Sequence, residues 1–218
     1  MTVYAYDGPT PTRRNLQYVP NTSVSPSRLN SVIQTNTRPG EHWRLQLVWE
    51  NLKQDDYHDL LGWLVRLNGS EHRAEFTFDS SLGYSGRGSR GGTPLVNGAS
   101  QTGASIDVDG LPVSTSNWLR RGDLFSIAYV AANPDYRPLF MVTANVDTNG
   151  SGEATIPMRP ALRFSPEDNE QILLSDSNVA GHFIMTSPVD FPLNARIADD
   201  DAPLSTITAE FIEDVRGS

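Results

Sequence analysis

The chain has 218 residues, no cysteine and a formal net charge of −9. Without thiols there can be no disulfide framework and no thiolate metal site. The acidic balance argues against general nucleic-acid binding, which needs clustered cations to neutralise phosphates.

The length allows one large domain or two small ones, either able to bury a core without staples. Lys53 is the only lysine, and arginine supplies the remaining cations. Arginine suits bidentate pairing at protein interfaces; a codon-biased genome would explain the same usage. The opening MTVYAYDGPTPTRR lacks a basic start, an apolar run and a small-residue cleavage site, so no signal peptide is expected. No apolar run approaches the ~20 residues that span a bilayer. A soluble protein made in the cytoplasm is the expectation.

Residues 1–40 are rich in Pro, Thr, Ser and Asn. Val3, Ala5 and Leu16 to Val19 suit short edge strands, with Pro9, Pro11, Pro20 and Pro26 as breaks. Ser31 to Thr37 suits another strand, and Arg38-Pro39-Gly40 is a turn signal. His42 to Trp49 alternates, with Trp43, Leu45, Leu47 and Trp49 on one face, as a half-buried antiparallel strand does. Asp55 to Gly69 then reads as a helix over 55–68. Tyr57, Leu60, Leu61, Leu64 and Leu67 form its apolar stripe. Asp55 or Asp56 suits the amides of the first turn, and Gly69 offers a left-handed stop. Trp63 lies off that stripe and is expected at an exposed interface. Ala74 to Phe78 is the returning strand, with Phe76 and Phe78 on one face.

At Ser80 the composition changes. SSLGYSGRGSRGGTP has no periodicity and reads as a flexible loop or a boundary. Short strands follow at Ser105 to Val108, Leu124 to Val130, Leu139 to Val146 and Ala154 to Pro157. Asp109-Gly110, Arg121-Gly122-Asp123 and Asn149-Gly150 punctuate them. Such spacing suits a small barrel or sandwich. Gln171 to Leu174, Gly181 to Thr186 and Ile207 to Ile212 complete the strands. The fold class expected is mainly β, with a sandwich-like domain carrying one flanking helix and a small barrel. One topology assigns 1–83 with 163–218 to the first domain and 84–162 to an inserted barrel. Two consecutive domains are the other arrangement that the pattern allows.

No catalytic, cofactor or metal site stands out. Asp147-Thr148-Asn149-Gly150-Ser151-Gly152 matches the first half of a calcium loop. The position that needs a bidentate glutamate is Met158, so a hairpin turn is the stronger reading. Gly86-Arg87-Gly88-Ser89-Arg90-Gly91-Gly92 lacks the Gly-Lys-Ser/Thr ending of a phosphate loop and reads as a mobile linker. Its arginines could touch an acidic neighbour. His42, His58, His72 and His182 have no metal-ligand spacing and default to surface positions. Asp199 to Asp201, Glu210, Glu213 and Asp214 could pair carboxylates or bind a cation, although acidic runs are usually solvated. Trp43 and Trp49 share a strand face, which favours a core, and Trp118 suits an anchor of the barrel.

Longer phrases carry a resemblance. QTNTRPGEHWRLQLVWENL, a helix containing LLGWLVRLNG, and EFTFD come first. GTPLVNGASQTGASIDVDGLP, NWLRRGDLFSI and VTANVDTNGSGEATIPMRPALR follow. Together they span roughly residues 30 to 165 and resemble minor tail proteins of long, non-contractile-tailed bacteriophages. The resemblance implies a distal tail protein: a virion structural subunit at the tail tip, forming a hexameric ring that joins the tail tube to the hub and fibre apparatus. It implies a ring-forming β-sandwich or curved sheet with one flanking helix, and a further β domain projecting outward. The implied partners are other copies of the chain, the tail tube protein and the hub protein. DNA would pass through the lumen without specific binding, and no membrane is involved. It implies no catalytic residue, no cofactor and no metal. The alternative is a carbohydrate- or receptor-binding tail module, with Trp118 or Tyr136 as its stacking surface. A tail-associated hydrolase is the weakest reading, because no carboxylate pair sits in a recognisable context.

Overall fold

A run that alternates apolar and polar residues forms a strand with one buried face, and the longest such run lies in the first sheet, one strand in from its edge. In the computed structural model, which describes residues 1–26, 33–128, 136–174, 178–189 and 206–215, the chain is mainly β with one helix. The first elements are β1 (Val3–Ala5), β2 (Arg13–Val19), β3 (Thr22–Pro26), β4 (Ile33–Thr37), β5 (His42–Trp49), α1 (Gln54–Arg66) and β6 (Arg73–Thr77). Then come β7 (Leu95–Val96), β8 (Gly103–Asp109), β9 (Leu124–Ile127), β10 (Leu139–Val142) and β11 (Ala154–Leu162). β12 (Ile172–Leu173), β13 (Ala180–Met185) and β14 (Ile207–Glu213) complete the order.

The first sheet runs β1-β6-β13-β14-β5-β2 and is antiparallel except for the β1–β6 pair. The second is antiparallel in the order β12-β9-β10-β11-β8-β7. A bridge between Leu95 and Gln171 brings its two ends together. Val96 N donates to Glu170 O at 2.9 Å and Ile172 N to Pro94 O at 3.0 Å, so this sheet nearly closes into a barrel. The first sheet draws its strands from both ends of the chain, and the second from the middle. The expected boundary at 162 differs from the sheet membership. Ile172 and Leu173 pair with Ile127 and Ser126 of β9, because the barrel needs a sixth strand to reach β7.

The helix covers one face of the first sheet. Tyr57, Leu60, Trp63, Leu64 and Leu67 are buried and Leu61 sits at the rim. Trp63 is therefore a correction: it is 7% exposed, and its indole N–H donates to Ala5 O at 3.0 Å. It lies three residues after Leu60, on the same side of the helix. The N-cap is Lys53 and makes no side-chain cap bond; Asp55 and Asp56 lie in the first turn, where their charge suits the positive helix end. At the other end Asn68 and Gly69 both take positive φ, 47° and 66°, and turn the chain out of the helix.

Phe76 is the centre of the first core. Its ring lies 4.9 Å from Phe211, 5.5 Å from Tyr6, and 5.8 Å from both Trp63 and Phe183. The Trp49 indole N–H donates to both the Tyr6 hydroxyl, at 2.9 Å, and Pro9 O, at 2.8 Å, which fixes the N-terminal segment to the sheet. Leu124 and Leu139 of the second sheet also join this core. The barrel has its own core around Trp118, Phe125, Phe140, Ile106 and Ile156.

Several strands depart from expectation in length, β10 and β11 by the most. β10 ends at Val142 rather than Val146, because Val146 turns away to bridge Leu119. β11 runs to Leu162, with a register shift after Pro157. β3 and β7 have no counterpart in the sequence expectation. Ser31 and Val32 of the expected Ser31–Thr37 strand, and Tyr129 and Val130 of the expected Leu124–Val130 strand, lie outside the described residues.

Phe76→Ala would remove the shared partner of four rings and is expected to cost about 3–5 kcal/mol. Urea unfolding of the two proteins measures this. A loss under about 1 kcal/mol would mean that the site collapses around the gap and that Phe76 is no hub.

Candidate assembly surfaces

The loops that looked like ligand sites are filled by the chain's own groups. In the calcium-like loop, Asn149 Oδ1 accepts from Ser151 N and Glu153 N, both at 2.9 Å, and Asp147 Oδ1 accepts from Asn117 N at 2.6 Å. This is a turn held by its own amides. The glycine-rich stretch is packed rather than a loose linker. Arg87 N and Gly88 N donate to the Asp123 carboxylate at 2.9 and 3.0 Å, and Arg120 N donates to it at 2.9 Å. Asp123 is 1% exposed, so the amides cradle an internal anion. A Cβ on Gly88 would lie 2.2 Å from Trp118 O, so only glycine fits that approach. Arg87 and Arg90 donate to the carbonyls of Arg121 and Leu174.

The histidines divide. His58 is exposed on the helix. His72 sits edge-on to Tyr4, with ring centroids 5.4 Å apart, and His42 Nδ1 lies 3.0 Å from Gly40 O. His182 is not at the surface: it is buried, with Nε2 2.9 Å from Glu75. Among the described residues no group of three or more His, Asp or Glu is arranged to hold a metal. Asp199 to Asp201 lie outside the described residues. All four tryptophans are buried, and so is Tyr136, so none of these rings offers a face to a sugar. Glu210 accepts from Gln46 at 3.0 Å on the exposed face of the sheet.

Glu213 and Asp214 are buried where the two sheets meet. Glu213 Oε2 accepts from Trp43 N of β5 and Oε1 from Leu139 N of β10, each at 3.1 Å. The Trp43 indole N–H donates to Leu139 O at 2.8 Å across the same junction. Burial pushes the Glu213 carboxyl up to about 7, against the pull of the two amides and of Arg163. Asp214 pairs with the buried Arg73, and Glu75 accepts from His182 and from Arg137, at 2.9 Å each. The hydrogen bond from His182 holds the Glu75 carboxyl below the usual range, with Arg137 helping. This polar cluster joins the sheets.

Among the described residues two surfaces have no strand partner from the rest of the chain. β2 is the outer strand of the first sheet, and its seven residues run Arg13–Val19 with most side chains exposed. Beyond Pro20 the two segments pair again, slipped by two residues, as a separate β3–β4 ribbon, Thr22 opposite Thr37 through Pro26 opposite Ile33. This two-stranded arm pairs only with itself among the described residues. Its root is fastened to the barrel. The Glu41 carboxylate accepts from Arg159 at 2.7 Å and from Ala161 N at 3.1 Å, an amide in the slipped stretch of β11. Arg163 donates to Glu41 O.

Sequence reasoning misses the roles of Glu41, Asp123 and Glu213. For two of them a signal exists. Glu41 extends the inward phase of Trp43, Leu45, Leu47 and Trp49, and Glu213 extends that of Ile207, Ala209 and Phe211. A carboxylate on an inward phase needs amide or guanidinium partners.

The raised Glu213 sets a pH dependence. Between the ordinary carboxyl range and about pH 7 the folded protein binds the proton more tightly than the unfolded chain, so this contribution to stability is full in acid and lost as pH rises through 7. Glutamine does not titrate. The unfolding free energy of the native protein, relative to Glu213→Gln, should fall by about 3 kcal/mol from pH 4 to pH 8. Parallel denaturant titrations measure the difference; a constant difference across that range would refute the assignment. No protein-family model matches the chain, and no curated protein is similar enough to be matched.

Proposed function

We propose that the chain is a structural virion protein, a tail-tip ring subunit of a long, non-contractile-tailed phage that links the tail tube to the hub and fibre apparatus. The observation that carries this reading is the open edge of the first sheet, which runs on into an arm with no strand partner but itself among the described residues. An edge of this length is a template for another chain. Copies that meet through different surfaces on each side form a ring when the rotation closes. The flanking helix and the nearly closed second sheet agree with what the tail-protein resemblance implies for the fold. A net charge of −9 suits a lumen that DNA crosses without sticking. In this reading the chain has no catalytic role, and its partners are further copies of itself, the tube protein and the hub protein.

The alternative, a carbohydrate-binding tail module, needs exposed rings. Trp118 is 0% and Tyr136 4% exposed, which removes the two rings it would use. Among the described residues no helix is long and apolar enough to cross a membrane.

Light scattering of the purified chain, with negative-stain imaging of the same sample, is expected to give hexameric closed rings with a central hole. Replacing residues 21–38 by a short Gly-Ser turn should leave the fold melting as before but yield monomers. A native chain that stays monomeric at every concentration would overturn the ring reading, and a ring that forms without the arm would remove its main support.

A further inference from the structure

The outer face of the β8–β11 pair carries opposite charge at its two ends. At one end a cleft of about 670 Å³ lies between the arm root and the slipped stretch of β11. Arg38, Arg159 and Arg163 line it with a single carboxylate, Glu41. Glu41 is already held by Arg159 and Ala161 N, and Arg163 donates to the Glu41 carbonyl. Arg38 is exposed. The partly desolvated Tyr18 beside this cleft has its hydroxyl pushed up to about 12 by burial and by the Glu41 carboxylate.

At the other end a cleft of about 630 Å³ is lined by Asp107, Asp147 and Glu153, with Asn97, Asn149 and Thr155 between them. Its described lining holds no cation. Asp107 accepts from Thr155 at 2.6 Å, Asp147 from Asn117 N at 2.6 Å and Glu153 from Asn149 at 2.9 Å. Those donors are neutral, so three negative charges stay uncompensated. The register places Asp107 opposite Thr155 near one end of the ladder and Gly103 opposite Leu162 at the other. The two positions lie roughly 14 Å apart along β8.

A body with a cationic cleft at one end of a strand pair and an anionic cleft at the other is complementary to a second copy of itself, placed end to end. A copy placed face to face with its strands parallel would set like charge against like; turned antiparallel it would pair the ends twice and stop at a dimer, so a sedimenting mass limited to a dimer would overturn the end-to-end contact. We propose that neighbouring copies of this chain contact each other through these clefts, the Arg38–Arg159–Arg163 cleft of one receiving the Asp107–Asp147–Glu153 surface of the next. This rests on the ring-subunit reading and adds a charged contact to the strand-edge contact on which that reading stands. Such a contact is heterologous, so it can propagate around a closed set of copies. Charge pairs at its rim govern encounter rate and partner choice more than final affinity. The contact should therefore weaken with salt.

The test reverses one charge on each side. Arg38 and Glu153 are both exposed, and neither side chain holds a backbone amide of the fold. Arg38→Glu and Glu153→Arg should each melt as the native chain does and each raise the dissociation constant for self-association at least tenfold in sedimentation velocity at low salt. An equimolar mixture of the two variants should recover association, because every contact in an alternating assembly again pairs opposite charges. The double variant should recover it as well. If the native chain forms rings and the single reversals form them equally well, the clefts are not the contact and the ring reading stands. If the native chain does not associate at any concentration or salt, both the contact and the ring reading fail. Loss of association in the single variants without recovery in the mixture would also overturn the pairing.

Discussion

Two backbone amides, of Trp43 in β5 and Leu139 in β10, face the same buried space from different sheets, and Glu213 accepts from both. An amide left unpaired there would cost the full desolvation of a polar group. The carboxylate therefore fixes how far apart the sheets stand and which residues of β5 face which of β10. The indole N–H of Trp43 crosses to Leu139 O at the same point, so the junction is clamped by hydrogen bonds in both directions. Around it the apolar residues Leu124 and Leu139 leave the barrel side to join the first core. The hydrophobic packing is non-directional; the polar clamp gives it one register.

Periodicity in the sequence reveals the half-buried strands and the helix, because alternation and the 3.6-residue repeat report burial directly. Trp43 to Trp49 alternates, and Tyr57, Leu60, Leu64 and Leu67 recur at helical spacing, and both patterns match what is buried. Trp63 escapes that reading because a stripe drawn narrowly through the leucines leaves out the neighbouring i+3 position. The glycine-rich stretch escapes it for a different reason. Glycine permits mobility, but here it permits close approach: Gly88 touches Trp118 O where any side chain would collide. Nothing in a local window can distinguish those two uses, since the partner lies some thirty residues away on the chain. Asp123 is hidden likewise, because a turn-like Arg-Gly-Asp gives no sign that three amides from two segments converge on the carboxylate.

The two sheets handle their edges in opposite ways. The second brings β7 to β12 and nearly eliminates its edges by closure. Among the described residues the first stays open, with the three-residue β1 on one side and the longer β2 on the other. Short edges resist unwanted pairing and long ones invite it. The asymmetry gives the molecule one side suited to a partner strand and one side that is not. The charges on β8 and β11 add a second direction, from a cationic end to an anionic one. Together they make the molecule polar in the geometric sense, a property that a heterologous assembly would require.

The Glu41 contact has a mechanical consequence. The arm leaves the first sheet, yet the residue at its root grips Arg159 and Ala161 of the barrel's longest strand. A pull on the arm is therefore not delivered to the β2–β5 pair alone. Part of it passes through Glu41 into β11, whose ladders with β8 and β10 lie on either side. Load entering along a strand must shear many hydrogen bonds at once, whereas load across an edge opens them one after another. The arm root is thus placed to convert a peeling force on the open sheet into a shearing force on the closed one.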